Sequence, residues 1–150
     1  MLKPFLILTA LVLSGVSAQT PQEPPAASPA PAASNIPLEA VNQPNPVKTS
    51  AESLGRAKKI YGYECSICHG DDGGGGGDLA KNMKAKMPDF RDPSTLKAHT
   101  DGELFYIIKN GKGEMEGEGQ RVKPENTWDL VNYLRSFSKL QSATAAQGPS

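Results

Sequence analysis

Cys65-Ser66-Ile67-Cys68-His69 constrains this chain more than any other stretch. Two thiols with two residues between them, followed at once by histidine, have the spacing of a covalent c-type haem attachment. Each thiol adds to one haem vinyl group as a thioether, and the vinyls lie close enough for one turn of chain to reach both. His69 then lies against the iron as the proximal ligand. Small domains are marginal without a staple or cofactor, and large apolar side chains are few here. The haem is a large apolar plate for helices to pack on, so the chain is expected to fold poorly without it.

Other classes are excluded on composition. The formal net charge is zero, which leaves no basic stripe for nucleic acid. Cys65 and Cys68 are the only cysteines, so no disulfide framework is available. A thioredoxin-like redox pair needs a βαβ context, and no alternating strand pattern of useful length occurs. Glycines 73–77 are not a phosphate loop, because no Gly-Lys-Ser/Thr follows and no apolar strand precedes. They read as a flexible loop leaving the haem site.

Residues 1–18 read as a signal peptide. Lys3 is the positive end, Phe5 to Leu13 is apolar apart from Thr9, and Val16-Ser17-Ala18 supplies the small cleavage residues. The apolar run is short of the about 20 residues that span a bilayer. Export to the periplasm or a similar compartment is expected, since haem is attached to such chains outside the cytoplasm. A membrane tether is expected only if the segment stays uncleaved. Residues 19–48 are rich in Pro, Ala, Ser, Gln and Asn and bury too little to offset their ordering entropy. They read as a disordered arm, either a spacer or a solubilising tail.

The compact domain is expected over 49–140. Thr49-Ser50-Ala51-Glu52 has the form of a capping box, and Leu54, Ala57, Ile60 and Tyr61 follow at helical spacing. Gly55 is costly inside that helix and points to a close helix crossing. A short helix is expected within 79–87, with Lys81, Lys84 and Lys86 as a solvated face. Pro88 and Pro93 make 87–93 a loop. Thr100-Asp101-Gly102-Glu103 is a second capping box, and Leu104, Ile107 and Ile108 lead to a stop at Gly111. Pro124 opens a last helix whose apolar face includes Trp128, Leu130, Val131, Leu134 and Phe137. Residues 141–150 read as a disordered tail. The fold class is all-α, with about four to five short helices around one haem.

The other side of the iron has three methionine candidates. Thioether sulfur opposite histidine is the ligation of electron carriers and raises the potential. Met83 lies among lysines and reads as a gap filler in the core. Met87 precedes a proline in a loop and is the runner-up. Met115 lies in a loop that flanking helices can hold over the open haem face, and is preferred. His99 reads as an exposed residue before the second capping box, although it and an open site stay among the alternatives.

Residues 50–140 resemble a class I monohaem c-type cytochrome of bacterial type. Cys65-Ser66-Ile67-Cys68-His69-Gly70 matches the attachment motif of that family. Residues 86–92 resemble the loop before its central helix, 101–111 that helix, and 128–135 the C-terminal helix. The resemblance implies a class I cytochrome c fold and one covalently bound haem c. It implies Cys65 and Cys68 as thioethers, His69 and Met115 as axial ligands, and Met87 as a non-ligand. It also implies that Tyr133 packs on Gly55. In two places the chain departs from the family: Glu116 follows Met115 where proline is usual, and the glycine run is longer. Glu114, Glu116 and Glu118 bracket Met115, and anions there favour ferric iron, with screening by salt. A potential low in the Met/His range is expected, and replacing all three by glutamine is expected to raise it.

The function implied is an exported single-electron carrier rather than an enzyme. Its partners are a redox protein donor and acceptor, met in small transient contacts by a monomer. The acidic loop is expected to steer a basic partner patch. One alternative is an open-site haem protein that binds a small ligand or does haem catalysis. Another is a haem subunit tethered to a larger dehydrogenase or oxidase.

Overall fold

Two long helices, α2 (Ala51–Glu64) and α7 (Pro124–Ala146), make the largest contact between elements among the described residues. The computed structural model describes residues 36–146, with side chains up to Lys139. The signal segment, residues 19–35 of the arm and residues 147–150 lie outside the described residues. The remaining elements are α1 (Leu38–Val41), α3 (Ser66–His69), α4 (Asp78–Met83), α5 (Pro93–Lys97) and α6 (Asp101–Asn110). A small antiparallel hairpin, β1 (Gly111–Lys112) and β2 (Met115–Glu116), joins α6 to α7, with Lys112 opposite Met115. The all-α class holds, with more helical segments than expected. The extra ones, such as α1, α3 and α5, are single turns too short to show an apolar period. The α5 turn begins at the proline expected to keep it a loop. Pro93 sits at the first helical position, where it is tolerated, and the Asp92 carboxylate accepts from Ser94 N–H at 2.8 Å.

Local chemistry sets the helix ends. The first capping box is shifted by one residue: Ser50 and Ser53 exchange side chain-to-backbone bonds at 2.9 and 3.1 Å, in place of Thr49 and Glu52. The second is as read, with Glu103 N–H donating to Thr100 Oγ1 at 3.1 Å and Thr100 N–H to Glu103 Oε2 at 2.7 Å. Gly111 ends α6 at φ 84°, where a glycine costs least.

The buried face of α2 is Ser53, Ala57 and Tyr61. Tyr61, Tyr133 and Phe137 form a ring cluster with centroids 4.9 to 5.4 Å apart. The expected Gly55–Tyr133 pair is not formed. Gly55 is exposed, and a Cβ there would meet nothing within 4 Å. Ala57, two residues on and on the buried face, is the small residue in the core. On the other side of α7, Trp128 stacks on Phe105 of α6 at 4.1 Å.

Ion pairs fasten the helices. Asp129 is 1 % exposed and accepts from Arg56 Nε and Nη2 at 3.1 and 2.9 Å, joining α7 to α2. A buried carboxylate without that partner would be strongly destabilising. Arg135 donates to Asp101, to His99 O and to Leu96 O, and so ties α5 and α6 to α7.

The arm and tail boundaries are corrected. Residues 36–48 are packed rather than disordered. Thr100 Oγ1 donates to Val41 O at 2.7 Å, Asn45 Nδ2 to Asn132 Oδ1 at 3.1 Å, and Asn132 Nδ2 to Val47 O at 3.0 Å. This strap is held mainly by polar bonds to α6 and α7, and its poverty in apolar residues concealed it. At the other end α7 continues through Ala146, into the segment read as a tail.

Gly102 reports on the strap. A Cβ there would run into the backbone carbonyl of Ala40. In a free helix Gly→Ala stabilises by about 1 kcal/mol. Gly102→Ala is expected instead to destabilise by about 1–3 kcal/mol, seen as a lower denaturant midpoint of the haem-bearing protein. A raised midpoint would mean that the strap does not lie there.

Candidate haem site

The attachment motif forms the turn immediately after α2. Cys65 caps α2 through its N–H to Tyr61 O at 2.9 Å, and His69 N–H returns to Cys65 O at 2.9 Å. Cys68 and His69 are therefore carried on one short turn, α3, with Cys65 as its N-cap. Tyr61 Oη donates to Gly70 O at 2.8 Å and fixes the exit of that turn to the core.

Both thiols are half-buried and unbonded to each other. Burial, with Glu118 and Glu64 nearby, pushes the Cys65 thiol up to about 12. Redox-active Cys-x-x-Cys pairs have the opposite shift, which disfavours the thioredoxin-like alternative. His69 is 8 % exposed, and its Nδ1 has no hydrogen-bond partner. Burial lowers its pKa, so the imidazole is neutral, the form that binds metal. Its ring stacks on Phe90 at 4.8 Å. Among the described residues no group of three or more His, Cys, Asp or Glu side chains could hold a bare metal ion. The donor set instead suits a metal that arrives within its own macrocycle and needs two thiols and an axial nitrogen from the protein.

The glycine run is folded against this turn, contrary to the flexible loop expected. Gly75 N–H donates to His69 O at 2.8 Å, Gly77 N–H to Cys68 O at 3.1 Å, and Phe90 N–H to Gly73 O at 2.8 Å. Arg91 spans Asp89 at 2.9 Å and Asp72 at 2.6 Å, clasping the loop to residues 87–91. Its hydrogen bonds hold the Asp89 carboxyl below the ordinary range. Gly77 is required by closeness: a Cβ there would run into the Ile67 carbonyl.

The ligand candidates are separated. Met87 lies against Gly75, whose N–H binds the carbonyl of His69. Met83 is 52 % exposed and fills no core gap. His99 is half-buried rather than exposed, with Nδ1 3.5 Å from Glu103 Oε2. Met115 is half-buried in β2. The segment that follows folds back on α6 through Glu118 N–H to Ile108 O and Gly119 N–H to Lys109 O. Arg121 then binds the Glu118 carboxylate at 2.8 and 2.9 Å and lies 3.5 Å from Glu64, the residue before Cys65. The Met115 hairpin is thus tethered to the attachment turn.

That tether changes the reading of the acidic loop. Glu118 is 6 % exposed and paired with Arg121, so only Glu114 and Glu116 are solvated charges. Sequence reasoning missed Arg121, Phe90 and the tether from Tyr61 to Gly70. The three-residue spacing of Glu118 and Arg121 was the one signal available for the first of these.

The cytochrome c family model matches residues 54–138, more than half of the chain. The chain belongs to the cytochrome c family. This cytochrome is 27 % identical to cytochrome c6 of Pyropia yezoensis over 89 residues, which cover 59 % of it and 76 % of that protein. It is also 27 % identical to cytochrome c6 of Pyropia tenera over 86 residues, covering 57 % and 94 %. A chain of the Kuenenia stuttgartiensis reducing HAO-like protein complex Kustc0457/Kustc0458 shares the fold, with a TM-score of 0.54 at 21 % identity. That likeness covers 65 % of this cytochrome and 48 % of that chain. The protein is a class I c-type cytochrome, an electron-transfer protein with covalently bound haem c. Cys65 and Cys68 stand in the attachment spacing.

Neighbouring glycines test the packing of the loop. A Cβ at Gly76 would meet nothing within 4 Å, unlike one at Gly77. Gly77→Ala is expected to cost about 1–3 kcal/mol and to lower the yield of haem-bearing protein. Gly76→Ala should change stability by no more than about 0.5 kcal/mol. Denaturation of the two purified variants, followed at the haem band, checks this.

Proposed function

We propose that this cytochrome is an exported single-electron carrier whose iron is bound by His69 on one face and Met115 on the other. The observation that carries the assignment is the Arg121 bridge, which ties the Met115 hairpin to Glu64 beside Cys65. Met87 is disfavoured by its position, since it packs on the loop bonded to the carbonyl of His69 itself. A residue on that side would compete with His69 for the same face.

When bound, the haem supplies a one-electron ferrous–ferric couple whose potential is raised by methionine ligation. The chain holds it through Cys65 and Cys68. His69 presents a neutral imidazole whose plane is set by the Phe90 stack. Tyr61 and the glycine loop hold the backbone on either side of that imidazole, so its position need not change between redox states. His69 and Met115 would together leave no place on the metal for a substrate, which supports a carrier rather than an enzyme. Export, to the periplasm or a similar compartment, rests on the signal features of residues 1–18. We read the partners as redox proteins met transiently by a monomer.

The sixth ligand is tested by the weak red absorption that methionine sulfur gives to ferric haem. Met115→Ala is expected to abolish the band and to let added imidazole bind the iron. Met87→Ala should leave both unchanged. Loss of the band in Met87→Ala alone would move the ligand to Met87. Absence of the band from the unaltered protein would favour the open-site alternative.

A further inference from the structure

The hairpin that carries Met115 has little rigidity of its own. Its two strands are two residues each, and an isolated two-stranded hairpin is marginal in water. Residues 111–119 include four glycines and no proline, and glycine loses the most conformational freedom when it is fixed. What holds this segment must therefore come from outside the hairpin. Glu118 supplies much of that hold. Its N–H donates to Ile108 O of α6 at 2.7 Å, and its carbonyl accepts from Arg121 and Val122 N–H at 2.9 and 2.8 Å. Its buried carboxylate accepts from Arg121 Nε and Nη2 at 2.9 and 2.8 Å. Arg121 in turn lies 3.5 Å from Glu64, the last residue of α2 and the neighbour of Cys65. The charges of Glu118 and Glu64 both act on the Cys65 thiol, so this clamp closes against the attachment turn itself.

We propose that Arg121 is a positioning residue for the sixth ligand: by clamping Glu118 and Glu64 together it sets how often Met115 leaves the iron. A buried carboxylate deprived of its cation is strongly destabilised, so Glu118 keeps its place only while Arg121 is on it. Losing Glu118 frees the end of the hairpin from α6. The segment can then open locally while the α2–α7 crossing stays intact, because none of its fastenings involves that crossing. The guanidinium is needed for its shape as well as its charge. Its fork meets Glu118 with two bonds and still faces Glu64, whereas an ammonium is a point charge without that planar fork.

The inference rests on the Met115 reading, and its test separates the two. Imidazole binds ferric haem only in molecules whose sixth ligand is off, so its apparent affinity reports the open fraction. Affinity is measured by titrating the haem-bearing protein, with the weak red band as the signature of the closed form. Glu118→Gln/Arg121→Gln keeps a neutral hydrogen-bonding pair and leaves no bare buried charge. It is expected to raise the apparent imidazole affinity about tenfold. Arg121→Gln alone, which strips Glu118 of its partner, should raise it further, and Arg121→Lys should fall between Arg121→Gln and the unaltered protein. Arg56→Gln breaks the pair of another buried carboxylate, Asp129, where α2 crosses α7. It should lower the denaturant midpoint and leave the imidazole affinity within about twofold. Unchanged affinity in the clamp variants would overturn the positioning role. So would a rise in Arg56→Gln as large as theirs, since that is general loosening. If Arg121→Gln does not fold, the double variant decides. Retention of the red band by Met115→Ala would overturn the ligand reading and the clamp with it. Its loss there, with affinity unmoved in the clamp variants, would overturn the clamp alone.

Discussion

Tyr61 joins the core of this protein to its chemistry. Its ring is almost wholly buried against Tyr133 and Phe137, while its hydroxyl reaches the Gly70 carbonyl just beyond His69. Burial raises the phenol well above its ordinary range, so the hydroxyl keeps its proton and stays a donor. The crossing of α2 and α7 and the position of the attachment turn are therefore one constraint. Moving α7 would move Tyr61, and with it the backbone that carries His69.

The other fastenings share one design, in which arginine crosses between elements to meet a carboxylate. Arg56 reaches Asp129, Arg135 reaches Asp101, Arg91 reaches Asp72, and Arg121 links Glu118 to Glu64. Two of these carboxylates, Asp129 and Glu118, are buried. Without their partners they would carry a large desolvation cost. The guanidinium fork suits this use, since it can meet a carboxylate with two parallel bonds. Such pairs contribute more to placing elements than to net stability. In this protein they place α6, the glycine loop and the Met115 hairpin relative to α2, α7 and the short turn that carries the cysteines.

Legibility in the sequence followed the range of the interaction. The attachment motif, the second capping box, the Gly111 stop and the apolar face of α7 are local patterns, and each lies where the sequence placed it. Apart from the one-residue shift of the first capping box and the short α5 turn, the errors are non-local. Gly55 looked like the crossing point because a mid-helix glycine is unusual, yet Ala57 is on the buried face. The glycine run looked slack because its hydrogen-bond partners are carbonyls of the preceding turn. Residues 36–48 looked free because most of their contacts are polar and lie far away in the chain, from 59 to 87 residues on. Glu118 looked solvated because its partner and its burial both depend on the hairpin.

By itself the sequence determined the cofactor chemistry, the all-α class and the order of the main helices, because each is written in spacing between near neighbours. Tertiary structure alone decided that the glycine run folds against the attachment turn, that Glu118 is buried against Arg121, and that residues 36–48 pack on α6 and α7. Those outcomes depend on burial and on partners brought together from distant parts of the chain, and no spacing along the sequence encodes them.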